Sequence, residues 1–207
     1  MFAAILKLFG CSGRPAKSDS ATKVGTLNEQ ISKSSEDFKN RPFHKKLTEY
    51  IIDTTSDDDL LQTVFDNLID KFPKNHNENY QTVLSWTKSQ QAIYIIWCLE
   101  AEINNGGYNQ FYFNPSGQYG DLTPDALKLV GAAKFADLAE RANEVYKKEN
   151  EKITKHQDGS LEGFSKSYDD NPLNKFDDEF YELYRKENLQ QLQVDFTKKH
   201  KQDFIDK

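Results

Sequence analysis

The run Gln90–Ile103, QQAIYIIWCLEAEI, carries large apolar side chains on nearly every face of a helix. A helix that is apolar almost all round has to be surrounded by other elements, so the rest of the chain must supply amphipathic partners for it. It does. Phe43, Leu47, Tyr50 and Ile51 share one side of a short helix reaching from His44 to Ile52, with Pro42 suited to its first position. Asp57, Asp58 and Asp59 open a second helix whose stripe is Leu60, Leu61, Val64, Phe65, Leu68 and Ile69, and Pro73 ends it. Tyr80–Trp86 reads as a shorter element, and Ser85 or Thr87 caps the central helix. Thr123-Pro124-Asp125 reads as a further start, with the Thr123 hydroxyl as cap. Gly131-Ala132-Ala133 permits a joint before an amphipathic helix built on Phe135, Leu138, Ala139, Ala142 and Tyr146. Residues 158–174 read as a loop, and Phe176–Phe204 as terminal helices. No alternating strand pattern appears, which predicts an all-α fold.

The chain of 207 residues suffices for one such domain plus a tail. We place the domain at 41–207. Residues 12–40 are rich in Ser, Lys and Gly and poor in large apolar residues, the composition of a disordered linker. Ahead of them, MFAAILKLFG suits an amphipathic segment on a membrane or partner surface, or a short apolar end packed on the domain. Leu8-Phe9-Gly10-Cys11 is similar to a lipidation box at Cys11, the alternative to a cytoplasmic protein. No apolar run is long enough to span a membrane, and two cysteines, Cys11 and Cys98, make no disulfide framework; Cys98 reads as a buried free thiol. The net charge is −6, yet residues 1–48 carry nine Lys/Arg against four Asp/Glu, a net of +5, which leaves −11 for the rest. An acidic domain argues against direct nucleic-acid binding and for a basic partner or simple solubility.

The central helix runs into Asn104-Asn105-Gly106-Gly107, residues that tolerate the backbone of a helix end, so the helix is expected to stop there. Tyr108, Phe111, Tyr112 and Phe113 follow, too many rings for an exposed loop. They predict a buried connection whose Asn109, Gln110 and Asn114 amides are hydrogen-bonded to irregular backbone. The motif Asn104, Asn105, Gly106, Gly107, Tyr108, Gln110, Phe111, Phe113 and Asn114 is thus expected to be scaffold. Replacing Asn105 or Phe111 by Ala should then lower stability.

That motif, with Ala126-Leu127, Gly131-Ala132 and Phe176-Asp177-Asp178-Glu179-Phe180-Tyr181, resembles the C-terminal domain of the bacterial DNA-mimic protein family, over most of residues 45–207. The resemblance implies a mainly helical acidic protein that presents DNA-like negative charge to a helix-turn-helix DNA-binding protein and blocks its operator binding. The partner-binding candidates are Asp59, Asp66 and Asp70 on the second helix, with Asp169, Asp170, Asp177, Asp178, Glu179 and Glu182. Carboxylates three or four positions apart on a helix lie about 5–6 Å apart and can imitate a phosphate track. Against this, Lys198, Lys199 and Lys201, and Arg141, Lys147 and Lys148 among Glu140, Glu144 and Glu149, are typical of a solvated face. An immunity-type module for a protein that does not bind DNA is the alternative. Catalysis is disfavoured: the four histidines lack metal-ligand spacing, neither acidic run has the offsets of a calcium loop, and no phosphate-cradling loop is present. No metal, cofactor or catalytic residue is expected.

Overall fold

A computed structural model describes residues 32–33 and 35–206, and the chain divides between Phe43 and His44. The expectations for residues 1–31 lie outside the described residues. In the first unit, the 35–39 stretch is helical, and the Arg41 guanidinium stacks over the Phe38 ring at 3.7 Å.

The second unit is helical, and no strand occurs among its described residues. Its helices are α1 Glu49–Thr54, α2 Asp57–Asp70, α3 Asn79–Ser85, α4 Lys88–Phe113, α5 Thr123–Leu129, α6 Ala133–Lys148, α7 Asn150–Thr154, α8 Leu161–Lys166, α9 Asn174–Lys186 and α10 Leu189–Lys199. Three 3₁₀ turns accompany them: His76–Glu78 before α3, Pro115–Leu122 between α4 and α5, and Lys201–Asp203 after α10.

Thr87 starts α4 through a reciprocal capping box: its hydroxyl accepts from the Gln90 amide while the Gln90 side chain accepts from the Thr87 amide. Ile93, Ile96, Leu99 and Ile103 are then fully buried, as a central helix requires, because α2, α5, α9 and the 3₁₀ run all pack on it. Phe65 stacks on Trp97 at 4.5 Å, which covers one flank. Cys98 is a free thiol, half-buried rather than fully buried as expected, and desolvation pushes it up to about 12.

Several boundaries differ from expectation. The first helix begins at Glu49, where Thr48 caps it, so Leu47 enters the core from the preceding loop. Thr123 does not cap α5. The 3₁₀ run feeds directly into that helix, and the Thr123 hydroxyl donates back to the Tyr119 carbonyl. Residues 158–174 are not wholly a loop: Ser160 caps α8, a helix that brings Phe164 against Phe113. The joint at Gly131 does form, with φ +88 between α5 and α6, a conformation that costs glycine little.

Candidate interaction surface: an acidic corner at a broken helix

The expected stop at Gly107 is only a break. Backbone angles leave the helical region at Gly106 (φ −163) and Gly107 (φ +73), and the helix then restarts and runs through Phe113. Tyr108, Phe111 and Tyr112 are therefore buried from a helical face rather than an irregular connection, with Tyr112 stacked on Tyr146 at 4.0 Å. Phe113 is half-buried.

Two elements from later in the chain hold the break. The Tyr181 hydroxyl donates to the Ile103 carbonyl at 2.9 Å, and the Tyr168 hydroxyl to the Gly106 carbonyl at 2.8 Å. On the far side the Tyr108 amide donates to the Asp177 carboxylate at 2.7 Å. The backbone groups that a broken helix leaves without partners are thus satisfied from outside. The glycines follow from this packing. A Cβ at Gly106 would lie 2.6 Å from the Tyr168 hydroxyl, and one at Gly107 would overlap the Asp177 carboxylate besides forcing a side chain into positive φ.

The amides of the motif are bonded, as expected, but to side chains. Glu102 accepts from Gln110 at 2.7 Å, Asn114 at 2.8 Å and Ser116 at 2.9 Å, and so ties the two halves of α4 together. Asn109, with no exposed surface, donates to Ser167 and accepts from Asn171. Asn104 and Asn105 are exposed, which corrects the expectation that Asn105 fills a buried position.

The acids sort into distinct groups. Asp66 is buried, 2% exposed, and accepts from Gln62, so it leaves the expected contact row. Its neighbours Asp59 and Asp70 on α2 are exposed, Asp59 accepting from the Ser56 hydroxyl. Glu179 takes a bidentate bond from Arg141, which Asp137 also holds, and Glu182 is paired with Arg185 and Lys186 at 3.2 Å. These two do not present free charge. Asp169, Asp170 and Asp178 are exposed and make no ion pair among the described residues. They flank the break, because the Asn171 and Asn174 side chains and Tyr168 fasten the 167–174 turn to α4 and to itself. Half-buried Asp177 stands beside Asp178. Burial pushes its carboxyl up to about 6, the Tyr108 amide opposes the shift, and the charge of Asp178 adds to it.

Sequence reasoning missed the parts played by Glu102, Tyr168, Tyr181 and Asn171. Tyr168 and Tyr181 carried a signal, as aromatic residues inside otherwise polar runs; the others carried none. A groove of about 340 Å³, lined by Ala133, Lys134, Asp137, Glu179 and Leu183, lies apart from the motif side chains, which are bonded to one another rather than open around a cavity.

A helical domain with unpaired carboxylates gathered at one corner is the kind of molecule that meets proteins through charge. The chain belongs to the DMP19-like protein family, a DNA-mimic family, whose model matches residues 84–200. No curated protein and no solved structure matches. The matched stretch starts at Leu84, later than the expected 45, so Asp59 and Asp70 fall outside it and the corner falls inside. No helix among the described residues is long and apolar enough to cross a membrane.

Proposed function

We propose that this protein binds a basic protein surface through Asp169, Asp170 and Asp178, occupying the DNA-binding face of a transcription regulator of the helix-turn-helix type. The carrying observation is that these three exposed carboxylates lack ion pairs among the described residues, within the family-matched stretch. Unpaired charge on a fixed scaffold acts at a distance: it raises the rate of encounter with a cationic partner, and the effect weakens as salt shortens the screening length from about 10 Å at 0.1 M. The corner acts by binding rather than catalysis, since the polar side chains of the motif spend their hydrogen bonds on the helix break. Affinity-tagged protein should capture such a regulator from the source cell's lysate at low salt, release it as salt rises, and lose it to the regulator's operator duplex. Capture that resists salt and duplex, or capture of a protein that binds no DNA, would overturn the reading in favour of an ordinary interaction module.

A further inference from the structure

The link between Asn105 and Gly106 holds a reactive pairing that the acidic corner does not use. Among the asparagines of the sequence, Asn105 alone is followed by glycine. Its side chain is exposed and makes no hydrogen bond among the described residues, whereas the Asn104 amide is tied to the Glu100 carbonyl at 2.7 Å. The fold itself fixes glycine at 106: a Cβ there would lie 2.3 Å from the Gln110 side-chain oxygen. Packing of the break thus demands the one residue type that leaves the preceding amide unshielded. Beyond Asn105 the backbone departs from the helix, with φ −163 at Gly106 and +73 at Gly107, angles that cost glycine little. The bonds that Tyr168 and Tyr181 make across the break hold the Gly106 and Ile103 carbonyls, not the Gly106 nitrogen. Other asparagines lack this combination: Asn67, Asn109 and Asn143 are buried, and Asn114 and Asn171 precede proline, whose nitrogen carries no hydrogen.

We propose that Asn105 is a site of spontaneous deamidation, through which the protein gains a carboxylate at the helix break as it ages. The Gly106 nitrogen attacks the side-chain carbonyl carbon of Asn105 and forms a C–N bond. The side-chain amide leaves as ammonia, carrying off the proton of the attacking nitrogen, and a five-membered succinimide remains. Water then opens the ring. Addition at the side-chain carbonyl gives aspartate; addition at the main-chain carbonyl gives isoaspartate, with the backbone routed through the former side chain. Both products put a negative charge beside the point where Tyr168 joins the 167–174 turn to α4. The chemistry stands on the break alone; a stronger and more salt-sensitive capture of a basic partner by the converted protein rests on the function proposed above.

The full-length protein, held folded at body temperature and mildly alkaline pH and then mapped by peptide mass spectrometry, tests it. The peptide containing Asn105 should gain about one mass unit and separate into two isomers. Its conversion should run roughly tenfold or more faster than that of exposed Asn77, which precedes Glu78. In Asn105→Gln the same peptide should keep its mass. Conversion in the folded protein no faster than at Asn77 would overturn the proposal, even if Asn105 converts once the chain is unfolded in urea. A mass gain that persists in Asn105→Gln would overturn it as well. No partner enters these measurements, so their failure is separate from a failure of salt-sensitive capture.

Discussion

Acidic side chains on two parts of the domain meet different fates. Where α1 and α2 approach the end of the chain, Asp53 pairs with Lys201 at 2.7 Å, Asp57 bonds to Lys198, and Asp206 takes Lys71 at 2.7 Å, the Leu47 amide and Asn67. At the corner, Asp169, Asp170 and Asp178 have no cation among the described residues, and Asp177 has a single backbone donor. The sequence is comparably acidic in both, yet the first set closes the fold and the second leaves a field. A count of carboxylates therefore measures neither stability nor reach. What decides is whether the fold delivers a lysine or arginine to each.

The comparison can be broken most forcefully beneath the corner. Phe111→Ala empties a fully buried ring position in the restarted half of α4 and should cost about 3–5 kcal/mol, read from denaturant unfolding. A loss under 1 kcal/mol would mean that the break is not the corner's foundation. On the paired side, Asp206→Ala removes the partner of the Leu47 amide and of Asn67, and about 1–3 kcal/mol should be lost.

The two sides should also part in their response to pH. Burial opposes ionisation of Asp206, but Lys71, Leu47 and Asn67 together hold it below the usual carboxylate value, so it stabilises the fold above that value and the gain fades in stronger acid. Asp177 has the reverse sign: raised to about 6, it contributes stability that is full below its ordinary value near 3.8 and lost as pH rises through about 6. Melting temperatures of Asp177→Asn and wild type, compared at pH 5 and pH 7, should show wild type gaining relative to the variant on acidification. Smaller still in stability, and largest in function, is the triple replacement of Asp169, Asp170 and Asp178 by Asn. It should leave unfolding free energy within about 0.5 kcal/mol while flattening the salt dependence of partner capture. The smallest effect belongs to Asn105→Ala, an exposed position whose loss should change stability by under about 0.5 kcal/mol.

Local chemistry announced much of this architecture. Thr87 with Gln90 three residues on, the all-round apolar run behind them and Gly131 between two amphipathic segments are signals contained within a few residues, and the structure honours them. The restart after Gly107 was not legible, since glycine commonly closes a helix and the residues that let this one continue, Tyr168, Asp177 and Tyr181, lie more than sixty positions away. Asp66 went astray for a related reason. It is followed on the helix by buried Asn67 and Leu68, and α10 packs on that helix from the far end of the sequence, so the buried face is wider than the apolar stripe shows. Glu179 looked like a free acid because its partner, Arg141, sits three helices earlier.

The break in α4 has an electrical consequence. An unbroken helix would align its peptide dipoles along its whole length, with the negative end at Phe113. Divided at Gly106-Gly107, the same residues form two shorter dipoles, and the first ends near Ile103–Gly106 with roughly half a negative charge. The positive start of the second lies under Asp177. Two glycines thus set opposite half-charges side by side, each met by its own partner: the positive start by the Asp177 carboxylate, the carbonyl end by the Tyr168 and Tyr181 hydroxyls.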